Sequence, residues 1–196
     1  MKKCKWYSIL LLGLVLLVAS SIVACGPAEV AAPPVTAPES TPEADTAVQH
    51  SDRGVELAEE GRYEEAIIEY DKAIELDPEY ALAYNDRGNA YTKKGEFDKA
   101  IADLDKAIEL DPKLALAYNN RGNAYAKKGE FDKVIADCDK AIELDPKLAL
   151  AYGNRGIAYA NKGEVAKAVS DLEKLIELSN DPRVVELARQ LLDELR

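Results

Sequence analysis

Histidine and cysteine are nearly absent, with one of the first and three of the second in 196 residues. Cys4 and Cys25 sit in or beside an N-terminal apolar stretch, which leaves Cys138 alone in the body of the chain. No disulfide framework and no zinc cluster can be assembled from that supply. Glycine-rich phosphate loops, metal-ligand sets and credible triads are missing too, so neither an enzyme activity nor a cofactor is expected. Positive charge is also short. The formal net charge is −11, and with Lys2, Lys3 and Lys5 of the acid-free first 24 residues set aside, the remainder carries −14. Such an acidic body is unsuited to a nucleic-acid backbone, which needs a basic surface, and nucleic acid is excluded as a partner.

A long hydrophobic run is lacking as well. Ile9–Ala19 is an apolar run of eleven residues, short of the roughly eighteen expected of a spanning helix. With the three lysines before it and small residues after it, residues 1–24 read as a secretory signal peptide. An uncleaved membrane anchor is the alternative, since Trp6 and Tyr7 would suit an interfacial belt. Ile22-Val23-Ala24-Cys25 resembles a bacterial lipobox: an aliphatic residue, a tolerant position, a small residue, then cysteine. The resemblance implies cleavage before Cys25 by signal peptidase II and a diacylglyceryl group on its thiol. It also implies a place in the bacterial cell envelope, exported and lipid-anchored to a membrane on the extracytoplasmic face. Residues 25–46 continue with Pro27, Pro33, Pro34, Pro38 and Pro42 among Ala, Thr, Ser and Glu. They show no apolar periodicity and read as a disordered tether that reaches at most about 65 Å.

What the chain does have is repetition. Ala81–Pro112, ALAYNDRGNAYTKKGEFDKAIADLDKAIELDP, recurs 34 residues later as Ala115–Pro146 with four differences: Asp86/Asn120, Thr92/Ala126, Ala100/Val134 and Leu104/Cys138. Weaker copies start at Ala47 and Ala149. Counting each copy from its first alanine, position 8 is Gly54, Gly88, Gly122 and Gly156, and position 15 is Gly61, Gly95, Gly129 and Gly163. Position 20 is Ala66, Ala100, Val134 and Ala168; position 27 is Ala73, Ala107, Ala141 and Leu175. Position 32 is proline in the first three copies and Asn180 in the fourth, where the proline is delayed to Pro182.

This pattern resembles the tetratricopeptide repeat (TPR) over about 136 residues. The resemblance implies an all-α, right-handed solenoid of helical hairpins, with repeats at 47–80, 81–114, 115–148 and 149–182. The physics of the residues agrees. Tyr84, Gly88 and Tyr91 fall on one stripe of a first helix, A. Gly95 suits a left-handed C-terminal cap, and Lys93 and Lys94 suit the last turn. A second helix, B, is expected to bury Phe97, Ala100, Ile101, Leu104, Ala107, Ile108 and Leu110, and to stop before Pro112. Small residues at positions 8, 20 and 27 allow A and B to approach closely, so a bulky side chain at Gly122 should be costly. Residues 183–196 form an amphipathic helix with Arg183, Glu186, Arg189, Gln190, Asp193 and Glu194 outward, the polar cap that an open solenoid end requires.

At 100° per residue, positions 4, 8 and 11 of helix A face its partner, while positions 2, 5, 9, 12 and 13 are expected to be free. In the tetratricopeptide family the free set lines a concave ligand groove. Here it reads Asn85, Asn89, Thr92, Lys93; then Asn119, Asn123, Ala126, Lys127; then Gly153, Ile157, Ala160, Asn161. Position 6 adds Asp86, Asn120 and Asn154 at the edge. Asparagine both donates and accepts, which suits the backbone of an extended peptide, and lysine beside it suits a carboxylate. Position 7 is arginine throughout, and each guanidinium is expected to reach an acid such as Asp103 or Asp137. Cys138 reads as a small buried hydrophobe, and His50 as a worn aromatic position, since Ser51 and Asp52 lie on other sides of the helix. The function expected is a membrane-anchored, non-catalytic scaffold that binds a protein or extended peptide, such as an assembly factor for an envelope complex. A regulatory subunit that recruits an enzyme to the cell surface is the alternative.

Overall fold

Glycine and proline set the lengths of the helices. The computed structural model describes residues 45–196; the signal segment, Cys25 and the tether as far as residue 44 lie outside them. The first pair is α1 (Ala47–Glu59) and α2 (Tyr63–Leu76), the second α3 (Ala81–Lys94) and α4 (Phe97–Leu110). The third pair is α5 (Ala115–Lys128) and α6 (Phe131–Leu144), the fourth α7 (Ala149–Asn161) and α8 (Val165–Leu178), and α9 (Pro182–Leu195) follows. Among the described residues there is no strand, and no helix is long and apolar enough to cross a membrane. Gly95 ends α3 at φ 82°, and Gly129 ends α5 at φ 76°. That left-handed turn is open to glycine at little cost and reverses the chain into the B helix. Asp111 is extended (φ −130°, ψ 92°) ahead of Pro112, as the proline ring demands, and its carboxylate accepts from the Lys113 amide at 2.9 Å. The fourth repeat lacks that proline; Asp181 instead caps α9, with Pro182 at its first turn.

Each pair closes through its position-8 glycine. A Cβ on Gly54 would lie 2.4 Å from the Tyr70 ring, and one on Gly88 only 2.8 Å from Leu104 Cγ. Gly122 is looser, because Cys138 replaces leucine and its sulfur would lie 3.4 Å away, an ordinary contact. The core therefore consists of small A-helix residues (Ala83, Ala90, Ala117, Ala124, Ala158) against Tyr70, Leu104, Val134, Cys138 and Leu172. Phe97, Ile101, Ile108 and Leu110, expected to be buried, are only half-buried, because a B helix is covered on its inner side alone.

Successive A helices also pack directly on one another, α1 on α3, α3 on α5 and α5 on α7, which puts them on the inside of the curve. Three of the four position-7 arginines tie the repeats together, while Arg53 of the first meets Asp45 at 2.6 Å. Arg121 holds Asp137 of its own hairpin with two nitrogens (2.9 and 2.6 Å) and Asp105 of the preceding B helix at 2.6 Å. Arg87 does the same with Asp103 and Asp71, and Arg155 with Asp171 and Asp139. Paired donors in a fixed fork hold both distance and angle, so the ladder fixes how each hairpin sits on the last. Arg121 and Arg155 are held above the ordinary guanidinium range first by the aspartate of their own hairpin.

Candidate functional site

The concave face is built from the A helices, and the structure divides the expected free set in two. Asn85 and Asn119, expected to be free, are buried at 3 % exposure. Asn120 Nδ2 donates to Asn85 Oδ1 at 3.0 Å, and Asn154 Nδ2 donates to Asn119 Oδ1 at 2.9 Å. Four expected ligand residues thus form a ladder between neighbouring repeats. The physical reason is that the next A helix covers position 5, a surface that the rotation about a single helix leaves out. Thr92, also expected to be free, is buried too, and its hydroxyl donates to the Gly88 carbonyl. Asn161 is exposed, with its amide turned back to the Ile157 carbonyl of its own helix at 2.9 Å.

Asn89, Asn123, Lys93 and Lys127 remain. The two asparagines are half-buried at position 9, the two lysines exposed at position 13. Among the described residues, every other lysine within a helix has a carboxylate within ion-pair distance. In so acidic a protein, two cations left unpaired on one face stand out.

Asp86 is the residue that the sequence reading undervalued. It takes position 6, where Asn120 and Asn154 bridge repeats, and its Oδ1 accepts from Asn85 Nδ2 at 2.8 Å. Burial pushes its carboxyl up, and the Asn85 amide offsets this in part. With Glu59, Tyr63, Asn89 and Lys93 it lines a cavity of about 390 Å³ among α1, α2 and α3. The change from aspartate in the first two copies (Asp52, Asp86) to asparagine in the next two was the available signal.

The other singled-out residues are structural. Cys138 is fully buried, and burial pushes its thiol up to about 12, so it is no nucleophile at neutral pH. His50 Nδ1 meets Glu69 Oε2 at 2.6 Å where the other repeats have tyrosine, while Ser51 is buried and Asp52 exposed. Among the described residues, no group of His, Cys, Asp or Glu side chains has the arrangement of a metal site.

Comparison with known proteins bears on what this face does. A family model described as TPR repeat matches residues 54–95 and 88–129, and models described as tetratricopeptide repeat match 115–148 and 138–170. No curated protein matches the chain. The crystal structure of MamA is 33% identical with a TM-score of 0.60, over 67% of this chain and 77% of that one. TTC0263, a thermophilic TPR protein of Thermus thermophilus, superposes with a TM-score of 0.68 over 76% of this chain and 81% of its own. At 23% identity it shows the fold alone. The second TPR domain of human RPAP3, solved in complex with the HSP70 peptide SGPTIEEVD, is 30% identical with a TM-score of 0.54. That match covers 57% of this chain and 93% of the human domain.

Proposed function

The chain belongs to the tetratricopeptide repeat family, and from that premise we propose a non-catalytic scaffold whose concave face holds an extended peptide of a protein partner. The carrying observation is that Lys93 and Lys127 are unpaired and stacked in register, each one turn beyond Asn89 or Asn123, whose amides are also free. Free amides pair with a peptide backbone, and the lysines take a carboxylate, from an acidic side chain or a chain end. The peptide seen on the human RPAP3 domain is acidic toward its end, which supports that assignment. The net charge of −14 on the body repels ligands that are acidic throughout, so a neutral or basic segment with one anchored carboxylate fits best. Each exposed hydrogen bond adds only about 0.5–1.5 kcal/mol, and the affinity is modest.

The scaffold is tethered to a membrane of the bacterial envelope through lipid on Cys25, a reading supported by Ile22-Val23-Ala24-Cys25 and the proline-rich stretch behind it. Service in assembling an envelope complex fits that placement. Cys25→Ser should leave unprocessed precursor and abolish labelling by a fatty-acid probe. A partner recovered from membrane extract should lose binding to the Asn89→Ala, Asn123→Ala double variant. Binding that survives there and disappears with Glu109→Lys, on the exposed side of α4, overturns the groove assignment.

A further inference from the structure

The concave face changes character at its C-terminal end, as two of its rows show. Position 9 reads Asn89, Asn123 and Ile157, and 34 residues further on Leu191 takes the same place in α9. Position 13 reads Lys93, Lys127, Asn161 and, by the same count, Leu195. The amide ladder stops here as well, because position 5 of the fourth repeat is Gly153 and the next position-6 place is Ala188.

The backbone opens at the same point. While α3, α5 and α7 each pack on the A helix before them, α9 packs on α8 and lacks that close approach to α7. The gap is an apolar cleft of about 180 Å³, with Leu150, Gly153 and Ile157 on one side and Leu187, Ala188 and Leu191 on the other. Leu150, Ile157 and Leu187 are 51%, 40% and 57% exposed. Ile157 and Leu191 also line an adjoining hollow of about 240 Å³, where Glu194 is the one charged side chain. For scale, an apolar cavity of about 150 Å³ takes up benzene.

We propose that this cleft is a subsite for one bulky aliphatic or aromatic side chain of the segment bound in the groove. The inference rests on the groove reading above and adds direction to it. Continuity argues for a peptide occupant: one repeat further along, the cleft takes in position 9, that of the free amides, and the adjoining hollow takes in position 13, that of the lysines. Charge argues for how it lies. The acidic group of the segment goes to Lys93 or Lys127, and its apolar residue, displaced toward the C-terminal end of the solenoid, goes between α7 and α9. Selectivity follows from apolar burial, which favours a leucine or phenylalanine over serine at that point by about tenfold or more.

The test is selection from a random peptide library on the full chain, followed by affinities of chosen peptides and their leucine-to-serine analogues. The variant is Ile157→Asn with Leu187→Ser, both at exposed positions, with a thermal melt to check that the fold is kept. Leu187→Trp, which fills the cleft from its rim, gives a second readout. The expected result is an apolar residue at fixed spacing from an acidic one, with a tenfold analogue effect that both variants abolish while the acidic preference remains. Selected peptides without an apolar requirement, or with one that both variants retain, overturn the cleft and leave the groove standing. If nothing is selected, or selection is indifferent to Asn89→Ala with Asn123→Ala, the groove reading falls and the subsite with it. Concentration-dependent self-association that the cleft variants abolish would mean the occupant is a second copy, which also overturns the proposal.

Discussion

The third and fourth repeats fill one and the same volume by different means. In the third, position 5 is Asn119, its amide bonded to Asn154, and position 27 opposite is Ala141. In the fourth, position 5 is Gly153 and position 27 is Leu175, whose Cδ1 would lie 2.5 Å from a Cβ placed on that glycine. A polar side chain on the A helix has been exchanged for an apolar one on the B helix. Leucine at position 27, which in sequence looks like the drift of a terminal repeat, is thus half of a matched pair. The exchange has two consequences. It supplies Leu175 to the cluster with Leu172, Ala188 and Leu192 that seats the cap, and it strips the concave face of its polar rung where the apolar cleft begins.

That pairing can be broken with large effect. Leu175→Ala should cost about 2–5 kcal/mol by opening a cavity under the cap. Gly153→Asn alone should cost about 1–3 kcal/mol by overpacking. Together the two changes rebuild the third-repeat arrangement, and the double variant should be more stable than the sum of the singles by about 1 kcal/mol or more. Denaturant midpoints of the four proteins measure this coupling. Additive losses would mean that the two positions do not share space.

The second and third repeats make a finer comparison, since they differ at four positions and one of these, Leu104/Cys138, faces the position-8 glycine. Gly88→Ala should cost about 1–3 kcal/mol, with Leu104 Cγ at 2.8 Å and the Ala100 carbonyl oxygen at 3.1 Å from the new Cβ. Gly122→Ala meets nothing closer than 3.4 Å. It should be neutral or stabilising by up to about 1 kcal/mol, because alanine favours a helix interior over glycine. Beyond a Cβ at Gly122 stand Asp137 Cβ and the Val134 carbonyl oxygen, each 3.6 Å from it, so larger side chains should still be costly there where a single methyl is not. Equal losses at the two glycines would show that the smaller Cys138 leaves no usable room.

These contrasts mark how far a sequence can be read. The period, the left-handed Gly95 and Gly129, the helix ends at proline, the Arg87–Asp103 and Arg121–Asp137 pairs and the burial of Cys138 are all legible. Each depends on one residue and its neighbours along a helix or within a hairpin. The burial of Asn85 and Asn119 is not legible, because it depends on a second A helix laid over the first. Nor is the opening between α7 and α9, since spacing along the chain does not encode that α9 packs on α8 without the close approach to α7 that the other A helices make to their predecessors. Within the groove, rotation about a single helix leaves the position-9 amides and position-13 lysines free, and in the structure they are free. The same rotation assigns the position-5 and position-6 amides to a ligand, whereas the neighbouring repeats take them up.

The smallest predicted effect concerns Asp86, at a position that reads Asp52, Asp86, Asn120 and Asn154 along the four repeats. Burial holds its carboxyl above the ordinary range, so the folded protein keeps the proton to a higher pH than the unfolded chain does. Any stabilisation tied to the protonated form is complete below the unfolded pKa and is lost as pH rises through the folded one. At neutral pH, therefore, the raised carboxyl of Asp86 weakens the fold. Asp86→Asn, which puts the residue of the third and fourth repeats into the second, should raise the denaturant midpoint at neutral pH by less than the Gly88→Ala loss. At a pH acidic enough to protonate Asp86 in both states, the two proteins should melt together. Charge is the whole of the difference on this account. A gain that persists undiminished in acid would instead trace to a new hydrogen bond across to the first repeat, with position 86 joining the ladder as Asn120 and Asn154 do.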